Sequence, residues 1–302
     1  MTPAFAGVFF DMAQAIALAF RTLHDSSRGR GAGRVDDSAS RVGSTLLRSG
    51  ILIPLGGILL VLTVCWGYVA RMAWGMRNMG FASDWGLMPR MSHWSGTDLA
   101  LVFAMWAIMM VAMMLPAAVP MLVRVAQPGS HRDGRTHKAL ATSALALGYV
   151  APWIGFSALA ALAQWLLLEA RLVSPMMASS SPYLSALLLA AAGAYQFTPW
   201  KEACLARCRS RLGVLRAERG NRIASAFRFG LDQGAWCMGC CWLLMTLLFV
   251  LGVMNLVWIV VLTALVLVEQ SLFQPRWFVR VTGVALLVWG ALVLVRGLYL
   301  LH

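Results

Sequence analysis

The chain has 302 residues, 60% hydrophobic and only 12% charged, whereas a soluble domain averages ~25% charged residues. Water is therefore excluded as the solvent for most of the chain, and lipid is expected in its place. The net charge of +13 does not point to nucleic acid, because the Lys and Arg residues sit between apolar runs, where they set topology and meet anionic lipid.

Residues 1–20 place Phe5, Phe9, Met12, Ile16 and Phe20 at helical spacing, but Asp11 interrupts them and no basic segment precedes them. A helix lying in the membrane interface is expected there rather than a cleaved signal peptide. From His24 to Ser44 the chain has almost no aliphatic content and reads as a flexible linker. The predicted organisation is thus an N-terminal segment, 1–48, followed by a transmembrane helical domain, 49–302.

Seven spans are expected in that domain, roughly 50–70, 99–122, 140–168, 184–200, 233–252, 256–273 and 278–297. Each is near the ~20 residues that cross a hydrocarbon core, the fourth being the shortest. Residues 233–272 are one apolar stretch, which as a single helix would be ~60 Å long; a tight hairpin near Gly252 to Asn255 resolves the excess. The fold class is therefore all-α, a polytopic helical bundle. Cytoplasmic loops carry the excess of Lys and Arg. Here 20 fall on the side of the N-terminal segment, against five on the other: Arg71, Arg77, Arg90, Arg171 and Arg296. A cytoplasmic N-terminus in a bacterial-type inner membrane is expected. The chain has no Walker loop, dinucleotide fingerprint or hydrolase elbow, so neither ATP-driven pumping by this chain alone nor an enzymatic activity is expected.

Span 2 contains Met105, Met109, Met110, Met113, Met114 and Met121 within the run MWAIMMVAMMLPAAVPM. At ~100° per residue these fall within about half of the helix circumference, in a thioether stripe ~24 Å long. Thioethers are soft ligands that favour Cu(I), and weak ligands in series would let an ion move; alternatively, Met packs flexibly against neighbouring helices. Pro116 and Pro120 in the same helix each free a carbonyl one turn earlier, which a neighbour, water or an ion must satisfy.

Five of the six Cys fall in two compact motifs: Cys204 and Cys208, then Cys237, Cys240 and Cys241, the latter extended on one face by Met245. Cys204 and Cys208 share a face if span 4 continues past Lys201. By the charge count both motifs lie at the cytoplasmic boundary, where thiols stay reduced and metal ligation or redox work is favoured over a structural disulfide. Simple packing of small, polarizable Cys in helix interfaces is the plain alternative. His24, His93, His131, His137 and His302 lie outside these segments, so Cu(I) is preferred to Zn, although a Cys-only zinc site stays possible. Glu269, beside Gln270 near the end of span 6, could ligate the ion, take a proton or accept a bond from an Arg. Asp232 reads as the N-cap of span 5, and Asp98 as a cap of span 2.

Three segments, 105–121, 191–213 and 229–270, resemble the bacterial family of predicted metal-binding integral membrane proteins, often labelled copper chaperones. The resemblance covers most of the region from span 2 through span 6 and leaves out residues 1–48. It implies metal handling in the membrane. The expected metal-site residues are Cys204, Cys208, Cys237, Cys240, Cys241, Met109, Met110, Met113, Met114, Met121, Met245 and Glu269. Cu(I) would move along the Met face and exchange with the thiolates, with lipid, the ion and another copper protein as partners. Two competing classes remain: a membrane thiol oxidoreductase, in which Cys237 and Cys240 at a helix start exchange electrons with Cys204 and Cys208, and a structural assembly subunit.

Overall fold

The computed structural model describes residues 52–77, 96–126, 135–170, 181–209, 222–253, 255–270 and 276–299. The interfacial helix and linker expected over 1–48 lie outside the described residues. Among those described there are helices joined by turns, and no strand. In chain order they are α1 (Leu52–Arg77), α2 (Gly96–Ala126), α3 (Arg135–Glu169), α4 (Pro182–Tyr195), α5 (Pro199–Arg209), α6 (Arg222–Thr246), α7 (Leu248–Leu251), α8 (Leu256–Gln270) and α9 (Arg276–Tyr299).

Among the described residues, five stretches are long and apolar enough to cross a membrane: Gly56–Trp74, Gly96–Leu122, Ala139–Glu169, Ile223–Leu251 and Arg276–Tyr299. In the places expected for spans four and six stand two shorter apolar helices, α4 with 14 residues and α8 with 15. At 1.5 Å per residue these reach only about 21–23 Å, less than the ~30 Å hydrocarbon core. Leu59, Leu60, Val61 and Val64 on α1, and Val281, Val284, Val288 and Leu292 on α9, are exposed apolar side chains, as expected for faces turned to lipid. At the centre lies α2, whose Val102, Trp106, Met110, Ala112 and Met113 are fully buried.

The site depends on the packing of α3 against α6. Gly148, Gly230 and Gly234 line the contact, and a methyl at any of them would strike the opposing backbone: Phe227, Leu145 and Tyr149 respectively. Small residues at such a crossing let two helices approach closely where no hydrophobic force drives them together. That approach carries Tyr149 of α3 onto Cys237 of α6.

Local sequence explains the ends that matter. Ser181 caps α4, its hydroxyl accepting from the Leu184 N–H at 3.4 Å, with Pro182 in the first turn. The span expected over 184–200 breaks after Tyr195, and Cys204 and Cys208 stand on a separate helix beyond the break. Pro199 supplies no N–H to continue the span, and Thr198 caps a new helix, α5, by accepting from the Lys201 N–H at 3.3 Å. In contrast, α6 begins at Arg222, well before the expected start near 233, so Asp232 is an interior residue and not an N-cap. Its carboxylate accepts from the Trp236 indole one turn on, at 3.1 Å. Asp98 is buried in the first turn of α2, on the side of the helix dipole that favours a carboxylate. The hairpin near Gly252 is present: Gly252 has φ 90, a backbone region natural only to glycine, and Asn255 then caps α8 by accepting from the Val257 N–H at 3.2 Å.

Candidate metal centre

Cys237, Cys240 and Cys241 occupy one face of α6 and are buried. They stand mid-helix, Cys237 being roughly 22 Å along the axis from Arg222. The helix-start position that would have favoured a thiolate nucleophile is therefore not theirs. The break before Pro199 frees α5 to lie against α6, and two ties from α5 and one from the end of α4 hold the segment there. Gln233 Nε2 donates to the Cys208 carbonyl at 2.8 Å, the Arg207 guanidinium stacks 4.7 Å over the Trp236 ring, and Tyr195 Oη just before the break donates to the Gly239 carbonyl at 2.6 Å.

This docking brings the Sγ atoms of Cys208, Cys237 and Cys240 within 4.8 Å of one another, so that one ion could touch all three. Cys208 is half-buried and gives the cluster its more open side. Hydrogen bonding with Cys237 and Cys240, and then burial, raise the Cys208 thiol well above its ordinary pKa. Burial, and secondarily the Cys240 sulfur, raise that of Cys204. An ion that binds the Cys208 thiolate must displace its proton.

Cys204 and Cys241 are not members of the cluster. Cys204 packs toward Gly239, and the Cys241 sulfur falls outside the group that lies within 4.8 Å of one another, although its thiol, like that of Cys240, donates to the Cys237 carbonyl at 3.0 Å. Glu269 is likewise outside it. Its Oε2 accepts from Lys201 Nζ at 2.7 Å and its Oε1 from Gln196 Nε2 at 3.1 Å, in a buried ion pair. Of the roles open to Glu269, pairing with a cation is the one observed, with Lys201 in place of an Arg.

Two further residues complete the centre and were not anticipated. Gln270 Nε2 donates to Cys237 Sγ at 3.1 Å and approaches Cys240 Sγ at 3.8 Å, while Tyr149 Oη lies 3.0 Å from Cys237 Sγ and donates to the Met114 carbonyl at 3.2 Å. Tyr149 thus joins the thiol cluster to the Met-rich helix. Lys201 was detectable as a second ion at the end of an apolar helix; nothing local to Gln270 or Tyr149 marks them, because both act across the bundle.

The methionines are where the helical spacing put them. Met105, Met109, Met110, Met113 and Met114 are buried along α2, Met121 is half-buried, and Met245 is buried on α6. The carbonyl freed by Pro116, that of Ala112, accepts from the Trp66 indole at 3.0 Å, so here a neighbour and not an ion satisfies it.

Buried thiols converging within an apolar all-helical bundle define the chain as a helical membrane protein with a site able to hold a metal ion. Residues 103–293, well over half the chain, match the family described as PpoB2, copper chaperone, and the chain belongs to that family. No curated protein and no solved structure matches it.

Proposed function

We propose that this protein handles Cu(I) in a bacterial inner membrane, binding it at Cys208, Cys237 and Cys240 and exchanging it with the methionine face of α2. One observation carries the reading: three sulfurs from two helices, two of them on buried residues and one on a half-buried residue, lie close enough to share a single ion. Three thiolates suit a soft monovalent ion, whereas a structural zinc site would need a fourth ligand. The family description supports copper as the cargo. Gln270, by donating to Cys237, orients that sulfur. The ion would arrive through neutral thioethers and gain charge compensation on reaching the thiolates, which makes the thiol cluster the stronger of the two ligand sets. The protein acts as a binding and transfer protein and not as an enzyme, with a second copper protein as the recipient or donor.

The test is the metal content of full-length protein purified in detergent under reducing conditions with Cu(I) supplied. The parental protein should retain more copper than a variant in which Cys204, Cys208, Cys237, Cys240 and Cys241 are all changed to Ser. Equal copper in both ends the proposal.

A further inference from the structure

Between α1, α2, α8 and the Gly252 hairpin is a small cavity of about 10 Å³. That is room for a single water or ion. Its lining includes Tyr68 and Met72 from α1, Met105 and Met109 from α2, and Val253 and Ile259. Three of these side chains are thioethers, and the Tyr68 hydroxyl is the one polar side-chain group. Water is held in such spaces by two to four polar partners, which this cavity does not provide. A hard, hydrated cation would find no oxygen shell there either. The lining suits a soft, weakly hydrated ion.

We propose that Met72, Met105 and Met109 form a second Cu(I) site, a thioether site distinct from the thiol cluster and placed to load it. The proposal rests on the Cu(I) reading above and adds to it a location and a residue, Met72, contributed by a different helix from the methionine stripe. Met72 is the half-buried member, while Met105 and Met109 are buried. Along α8, Ile259 at the cavity and Gln270 at the thiols are roughly 16 Å apart. Along α2 the gap is shorter. Met109 lines the cavity, Met113 follows one turn on, and the Met114 carbonyl already meets the tyrosine that touches Cys237. Transfer is ligand exchange with no change of copper oxidation state: Cu–thioether bonds break, Cu–thiolate bonds form, and each thiol that ligates releases its proton. Binding at the cavity releases none, since thioethers carry no proton. This difference separates the two sites experimentally.

The experiment titrates Ag(I), a redox-inert stand-in for Cu(I), into full-length protein in detergent from mildly acidic to neutral pH. The parental protein should bind two equivalents, one whose affinity rises with pH and one whose affinity does not. Met72→Leu, Met105→Leu and Met109→Leu together should weaken the pH-independent equivalent by more than about tenfold and leave the other in place. In a chain with all six Cys changed to Ser, the pH-independent equivalent should persist, and Ag(I) should protect Met72 from oxidation to the sulfoxide by peroxide, read by mass spectrometry. The single change Met72→Leu, at a half-buried position, gives the same reading if the triple variant does not accumulate. Retention of both equivalents by a folded Met variant overturns the proposal and leaves these methionines as packing residues. Loss of only the pH-dependent equivalent from the parental profile would instead refute the thiol site and leave the cavity site standing.

Discussion

The thiol cluster and the methionine face are neighbours across α2 and α6, yet they are held in opposite ways. Around the thiols the scaffold is directional: the Lys201–Glu269 pair, Gln196, the Gln233 bond to the Cys208 carbonyl, and the Tyr149 and Gln270 bonds to Cys237. Around the methionines it is mostly shape. Trp66 and Trp106 each place one indole bond, to the Ala112 carbonyl and to Gln164 Oε1, and Phe249 stacks on Trp106 with centroids 5.0 Å apart. Directional bonds fix three sulfurs within one ion's reach. Packing leaves thioethers free to adapt, which suits passage more than tight retention.

The largest effect is expected where the directional frame is buried and charged. Glu269→Ala leaves the Lys201 ammonium without its partner, and breaking such a pair costs about 3–5 kcal/mol. Thermal unfolding in detergent should show the loss, and Lys201→Met combined with Glu269→Leu should recover much of it. A single variant as stable as the parental protein would mean that the frame does not hold the cluster.

Next is the glycine crossing that carries Tyr149 onto Cys237. Gly234→Ala drives a methyl into the Tyr149 backbone, an overpacking cost of about 1–3 kcal/mol. It should lower both stability and copper retention. Gly155→Ala, a change on α3 with open space around it, should do neither.

A smaller effect, on the metal alone, is expected from Gln270→Ala. Removing an outer-shell donor typically lowers affinity about 10–100-fold, and competition with a Cu(I) chelator would measure it. Least of all, in stability, should be Met113→Leu with Met114→Leu. Such volume-conserving swaps usually cost under ~1.5 kcal/mol. The protein should accumulate normally while copper movement across reconstituted vesicles falls, and parental movement would remove the methionines from the path.

The same contrast governs what could be read in advance. The methionine face followed from helical spacing alone, because burial of one side of α2 is a local periodicity. So did the apolar runs and the hairpin at Gly252. The composition of the thiol centre was only half legible. Spacing put Cys237, Cys240 and Cys241 on one face, but the choice of Cys208 over Cys204 and Cys241 depends on how α5 docks. That docking depends in turn on the break that Thr198 and Pro199 impose, a capping signal outweighed by the apolar run before it. The early start of α6 at Arg222 was missed for a related reason: hydropathy marks where a helix enters lipid, not where it begins. Gln270 and Tyr149 act through contacts between helices, which no pattern within one helix contains.

The most direct test of the central claim sets two buried cysteines of α6 against each other. In titrations of the full-length protein with Cu(I) against a competing chelator, Cys237→Ser should weaken binding by more than about a hundredfold, whereas Cys241→Ser, whose sulfur lies outside the group within one ion's reach, should change it by less than about threefold. Equal losses from the two, or a greater loss from Cys241→Ser, would contradict a site built from Cys208, Cys237 and Cys240.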